Sequence, residues 1–595
     1  MTKLIMIILT LSTALSYAKP LEIYLPIMSI LPSEQSLSTV NVETVQADSY
    51  QNKKIIGDVL NKSASFQTVR SGPLGQNTSV FTRGANSNHT LFLINGSPIT
   101  DHSTTNGLFD AGVDPVTYSS SVDLFKGGQG TLFGPNAVAG AVNINTGVSF
   151  HNEAEVTYGS NNTTGGSVTL SNSIGSGNHN FTVNTFKEKS DGISIYKNGA
   201  ESDGYDYNTV NLNSLHYLGN SVINTTIIRR NADADLDGSN ADDTDYTSSA
   251  KFYFYQARID NPYFNLVLDT NQHDREYVNG TEIDSYDSST EHMRLSHTNN
   301  LGPIDFTVGT DISNYSAKFD NKGSYNSSVD KSAENIAGFV NFDINHNSWL
   351  MNAGARRDDN SLHSSVNTYR LGVGYLVNDV FTLTAGTNTG FKAPSLYEMY
   401  GADNYGYTGN PNLTEEKSVT YETGIKTKVE GFESQFNIFT TRVSDQISYG
   451  NSTYSNDTDG AHVTKGWEFS STQSMDDTRL SISVTGLSAQ DSAKKEVTRR
   501  PKLSSYVGIE QDISEKLTLW GTYNYYGNHR DIHPTTYATV DMEYQTTLDA
   551  GFGYTVNEDV VVNGTLTNIG DLEYERPYGY NQDGPAFNIS IKYLF

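Results

Sequence analysis

The chain has 595 residues, too many for one ordinary globular core. Its 67 acidic residues against 39 basic ones give a net charge of -28, which argues against a phosphate-binding face and so against nucleic acid as a partner. Hydrophobic residues make up 36%, with 37 Tyr, 25 Phe, 51 Gly and no Cys, and beyond the N-terminus no run approaches the roughly 20 apolar residues of a membrane-spanning helix. A membrane crossing would have to be made by strands that alternate apolar and polar residues.

The first segment reads as a secretory signal. Lys3 supplies the positive charge, residues 4–15 are apolar and Ser16-Tyr17-Ala18 offers small residues at the cleavage positions. Residues 1–18 are therefore expected to be removed, leaving Lys19 as the first residue. Freedom from Cys suits a chain that crosses an oxidising periplasm.

Residues 19–54 form an irregular lead-in, and 55–149 a compact region of mixed pattern. Ile56 to Leu60 reads as a short helix, and residues 79–84 as a strand ending in the turn Arg83-Gly84. Residues 90–96 are a buried strand running into the tight turn Asn95-Gly96. Residues 122–128 (VDLFKGG) and 131–144 (TLFGPNAVAGAVNI) complete the region.

From residue 150 to 595 the texture is repetitive, with short alternating segments between clusters of Gly, Asn, Asp and Ser. Leu371, Val373, Tyr375 and Val377 alternate into the turn Asn378-Asp379, and Phe381, Leu383 and Ala385 alternate out again. Residues 517–525 repeat this, and residues 400–414 read as a long outer loop. In the final segment every odd position from Phe587 to Phe595 is apolar, giving one greasy face. The 445 residues from 151 to 595 hold about 22 strands at roughly 20 residues for each strand and its share of loop. In lipid such a sheet must close, and a cylinder that wide needs a filling, for which residues 55–149 are the candidate.

The ordered pieces Arg83-Gly84, 91–96 (LFLING), 125–128 (FKGG) and 131–144 resemble the plug of TonB-dependent outer-membrane receptors, with Asn95 and Lys126 where the family usually has Asp and Arg. Residues 390–394 (GFKAP), 409–413 (GNPNL), 465–468 (KGWE), 568–574 (NIGDLEY) and the terminal Phe595 resemble further family segments. The resemblance implies an all-β membrane barrel of about 22 antiparallel strands. It also implies a mixed α/β plug in the lumen, a place in the outer membrane of a Gram-negative bacterium, and active uptake as a monomer without catalysis. TonB, driven with ExbB and ExbD, is the implied periplasmic partner. The segment 37–43, with Ser38, Thr39, Val40, Asn41 and Val42, resembles the TonB box, which adds to TonB as a strand. Arg83 and Lys126 are expected to pair with acidic residues of the barrel wall.

Within the family the plug is similar to that of cobalamin (vitamin B12) receptors, through residues 83–90 (RGANSNHT). That likeness points to Asn77, Ser79, Asn86 and His89, to Thr104 and Thr105 in a second apical loop, and to Arg499 or Arg500 from the barrel as ligand-binding residues. An acidic run, Asp233, Asp235 and Asp237 before Gly238, then Asp242 and Asp243, follows Glu201 and Asp203 one loop earlier. Hard oxygens in this pattern suit a structural Ca²⁺, although Thr244 stands where a true EF-hand has Glu. A solvated acidic loop is the alternative. A ferric siderophore is the competing cargo. Haem fits less well, since no His lies between Phe391 and Leu413. A passive porin would need no plug, and an enzyme would need a motif such as Gly-x-Ser-x-Gly or His-Glu-x-x-His, neither of which stands out.

Overall fold

The structure is a computed structural model that describes residues 41–47, 53–197, 199–238, 242–322 and 328–595. The signal segment and most of the lead-in, including Ser38, Thr39 and Val40, lie outside the described residues.

The N-terminal unit is built from β1 (Val42–Gln46), α1 (Ile56–Leu60), β2 (Phe66–Arg70), β3 (Thr78–Thr82), β4 (Thr90–Ile94), β5 (Ser97–Pro98), β6 (Ser119–Lys126), α2 (Gly130–Phe133) and β7 (Gly140–Thr146). Five strands form one sheet in the order β1-β6-β7-β4-β5. β4 and β7 run parallel and the other neighbours antiparallel, so the sheet is mixed. The helical part is slight, one turn in α1 and one in α2. The apolar run beginning at Ile55 gives way to Asn61-Lys62-Ser63 after a single turn, too short for a longer helix to hold. Ile56, Val59, Leu60, Phe66, Phe92, Ile94, Val122, Leu124, Val142 and Ile144 make the core. Both expected turns are left-handed: Arg83 has φ 50° and Gly84 φ 75°, and Asn95 has φ 48°. Gly140 is needed for contact rather than conformation, since a Cβ there would lie 2.5 Å from the Phe125 carbonyl oxygen.

Twenty-two antiparallel strands close around this unit. The last, Ala586–Leu594, pairs with the first, Glu153–Gly159, in the register Asn588↔Gly159 to Leu594↔Glu153, so the sheet has no edge. Period two sorts the side chains: Phe587, Ile589, Ile591 and Tyr593 face outward, while Ser590 is buried inside. One rim carries short turns such as 378–379. The other carries long loops such as 393–415, which holds α3 (Leu396–Tyr400), capped reciprocally by Ser395 and Glu398.

The N-terminal unit sits in the lumen as a plug. It touches the wall on many sides: Ser97 with Asp269, the Leu132 carbonyl with Arg294, the Asn136 N–H with the Phe391 carbonyl, the Val138 carbonyl with Ser418, the Ala64 N–H with Ser483, and Gln67 with Ser504. This is the architecture expected from the sequence. The plug ends at Thr146 and the wall begins at Glu153, so residues 147–152 link the two.

Candidate functional site

The deepest plug-to-wall contact is electrostatic. The left-handed turn after β3 points Arg83 at the wall, where its Nη2 lies 3.0 Å from Glu422 and also pairs with Glu468. Its guanidinium covers the Phe439 ring at 4.3 Å. Burial works against this charge, but Glu468 and Glu422 outweigh it and hold the Arg83 pKa above its ordinary value. Glu468 also accepts from Ser65 Oγ at 2.7 Å and from the Asn41 side-chain amide. Lys126 meets expectation only in part: its close ion pair is Glu43 of β1, at 3.0 Å, while the wall carboxylate Glu468 also acts on its charge. The cause is register: Lys126 ends β6, and the strand paired to that end of β6 is β1.

The described end of the lead-in is thus folded into the plug. Asn41 is buried, donates to Glu468 and accepts from Gln435. Val42 pairs with Phe125 as the first residue of β1, an edge strand with a neighbour on one side only. Traction applied before residue 41 would first strain Asn41 on Glu468 and Glu43 on Lys126.

On the long-loop side, the plug loops 71–77 and 101–113 face wall residues across a pocket of about 180 Å³. Asn77, Gln76 and Thr104 line it from the plug, and Ser248, Ser249, Lys251 and Tyr277 from the wall. Its two arginines are already matched. Arg275 Nε is 2.8 Å from Asp101, and Arg230 is 3.0 Å from Asp114. Beside the hydroxyls and amides, the pocket presents the charged Lys251 and Asp110 and the apolar Leu108, Phe109 and Val113.

The acidic loops converge as well. Carboxylate oxygens of Glu201, Asp203 and Asp237 all lie within 4.8 Å of one another. Asp203 is buried, and its Oδ1 has no hydrogen-bond partner. Asp237 accepts from the Tyr196 and Asp243 N–H groups, and Glu201 from the Asp243 N–H. Asp235 accepts from the Gly204 N–H at 3.1 Å and Asp242 from the Ala200 N–H at 2.6 Å. Asp243 Oδ2 takes the Asn279 amide at 2.7 Å. Asp233 stands apart, in the wall strand opposite Asp206 and exposed between the buried Ala232 and Ala234, so it is no part of this cluster. Partial burial, then the Asp237 carboxylate, raises the Glu201 pKa above the usual carboxyl range.

Residues 149–569 match the family "TonB dependent receptor-like, beta-barrel", and residues 32–141 match "TonB-dependent Receptor Plug Domain". The chain is a TonB-dependent receptor. The family consists of receptors and transporters in the outer membrane of Gram-negative bacteria that work with TonB, so the short turns face the periplasm and the long loops the outside. The receptor is 24% identical over 593 residues to the vitamin B12 transporter BtuB of Vibrio cholerae serotype O1, covering 95% of this chain and 93% of that protein. It is 25% identical to the protein of the same name in Photobacterium profundum, covering 96% and 94%. Among solved structures, the siderophore receptor PirA of Acinetobacter baumannii matches with a TM-score of 0.79 at 16% identity, over 94% of this chain and 99% of that one. A ferric enterobactin receptor, PfeA, of Pseudomonas aeruginosa matches with 0.80 at 16%, with the same coverage.

Of the ligand residues expected from the sequence, the receptor brings only Asn77 and Thr104 to the apical pocket. Ser79 is half-buried in β3 and outside the pocket lining. Thr105 is exposed, and its carbonyl accepts from Ser395 Oγ at 2.6 Å. His89 is buried and turned to the wall, 2.8 Å from Glu416, which itself lies 3.6 Å from the buried Lys392. It has no path to a ligand in this conformation. Arg499 pairs with Asp531 at 2.6 Å, while its neighbour Arg500 reaches the plug, donating to the Gly84 and Ala85 carbonyls and to Asn86 Oδ1. Asn86 is thus engaged by the wall. Arg230, Arg275 and Tyr277 carry no local signal in the sequence, because their position over the plug loops depends on wall strands more than a hundred residues away.

Proposed function

We propose that the receptor takes up cobalamin, drawing on TonB energised through ExbB and ExbD. Cargo would settle on the plug apices and outer loops, and the bound state would favour release of the lead-in to the periplasm, a coupling set by the cargo's differential affinity for the two states. Residues 37–43 would then add as a strand to TonB. The signal segment 1–18 would have been removed before assembly.

The observation that carries the cargo reading is the chemistry of the apical pocket. The pocket's hydroxyls, amides and apolar side chains suit a corrin fringed with uncharged amides, and of its three cations, Arg230, Arg275 and Lys251, the two arginines are spent on plug carboxylates. A ferric siderophore that carries several negative charges would meet a poor surface, since loop 236–245 holds Asp237, Asp242, Asp243 and Asp245 with no Lys or Arg. The similarity to proteins named vitamin B12 transporters is consistent with this reading. The test is competition on the purified receptor. Labelled cyanocobalamin is expected to bind and to resist displacement by ferric enterobactin. Displacement by the siderophore, with no cobalamin binding, would reverse the assignment.

We further propose that Glu201, Asp203 and Asp237 hold Ca²⁺, with Asp235, Asp242 and Asp243 lending charge and further oxygens. Three carboxylates this close repel one another, and a hard cation is the usual remedy. The unpartnered Asp203 Oδ1 supports the fit. Calorimetry should give Ca²⁺ binding that Asp237→Asn weakens at least tenfold. Because Glu201 holds its proton above the usual carboxyl range, affinity should fall as the pH is lowered through that raised value. Absence of any heat of Ca²⁺ binding at neutral pH would remove the proposal.

A further inference from the structure

The wall carries a pair of histidines that neither the plug nor the apical pocket uses. His179 begins the wall strand His179–Ile193, and His216 lies near the end of the next, Asp203–Leu218. They are direct cross-strand partners. Both are half-buried, and their Nδ1 atoms are 3.1 Å apart. The ring of Phe181 meets His216 edge-on at 5.1 Å and limits its swing. The pair lies beside the short turn 175–178, where the Asn178 carbonyl accepts from the Tyr217 N–H at 2.8 Å and fixes the two strand ends together. It is at the short-turn end of the two strands, on the outward face that also carries Phe181 and Leu218.

We propose that His179 and His216 form a binding site for a divalent transition metal of the Zn²⁺, Cu²⁺ or Ni²⁺ class, held through the two Nδ1 atoms. Imidazole is the side chain these ions prefer, and the chain offers no thiolate to compete. The spacing fits. Two nitrogens 3.1 Å apart, each about 2.0–2.1 Å from one metal, subtend an angle of about 98°, between the octahedral and tetrahedral values. Without metal, one neutral ring donates its Nδ1–H to the lone pair of the other. On binding, the metal takes the place of that proton, which passes through solvent to Nε2 of the same ring, so a neutral pair releases none. Water would fill the remaining coordination positions at this end of the strands. Neither histidine belongs to the acidic loops, which lie at the opposite rim, so this site is independent of the calcium proposal.

The test uses the intact receptor in detergent, in excess Ca²⁺, which fills oxygen-ligand sites and leaves imidazoles free. Cu²⁺ titration followed by electron paramagnetic resonance should show one tight site with two nitrogen ligands. His179→Gln and His216→Gln should each lose one nitrogen and weaken Zn²⁺ binding by calorimetry at least tenfold, with cargo binding unchanged. A wild-type spectrum with fewer than two nitrogens would overturn the proposal. So would a Zn²⁺ affinity within twofold of wild type in both variants, leaving a plain N–H···N hydrogen bond between the rings.

Discussion

Arg83→Leu is expected to unseat the plug. The leucine would leave Glu468 and Glu422 facing each other in the wall with their shared cation gone, and the isobutyl group could not replace the lost stacking on Phe439. Removing one member of a buried ionic group typically costs about 3–5 kcal/mol, because the remaining charge is neither solvated nor paired. The barrel itself should survive, since its closure rests on backbone pairing from residue 153 to 594. The loss should therefore appear as plug mobility. Limited proteolysis from the periplasmic side should cut the plug two to three orders of magnitude faster, and reconstituted receptor should conduct ions. Protease resistance within a few-fold of wild type would mean that Arg83 is not what seats the plug. Arg83→Lys should lie between, since a lysine keeps the charge but not the fork that reaches both carboxylates.

The second large effect is on transport rather than structure. Val40→Pro should abolish energised uptake while leaving cargo affinity as it was. Proline removes a main-chain N–H and fixes φ, both of which strand addition depends on. The choice of position follows from the fold. Deleting all of 37–43 would also remove Asn41 from Glu468 and Glu43 from Lys126, mixing loss of partner binding with a loosened plug. Substitution at 40 leaves those contacts in place. Uptake comparable to wild type in the proline variant would place the TonB-binding strand elsewhere in the lead-in.

The contact between Asn41 and Glu468 gives these two predictions a common atom group. The same carboxylate that holds Arg83 also holds the residue at which the lead-in enters the plug. Pulling on the lead-in therefore acts directly on the plug's main ionic anchor and on β1, whose five residues are paired on one side only.

Much of this was open to inspection along the chain. Alternation from Phe587 to Phe595 determined a strand with one lipid face, and the repetition of that texture over some 445 residues determined a closed sheet of about 22 strands, because unpaired backbone is not tolerated in lipid. Gly84 and Asn95-Gly96 determined left-handed turns, since Gly and Asn bear positive φ at little cost, while the φ of 50° at Arg83 is one that such side chains rarely adopt. The acidic residues of two successive outer loops could be suspected of meeting, as neighbouring loops of a meander share one rim. Which carboxylates meet was decided by strand register: Asp233 is held down the wall strand opposite Asp206, while Glu201, Asp203 and Asp237 come together at the strand ends. The partners of Arg83 and His89 were beyond reach for the same reason. Their positions depend on how the plug is rotated inside the cylinder, and that rotation is settled by the sum of plug–wall contacts spread over hundreds of residues, which no local pattern encodes.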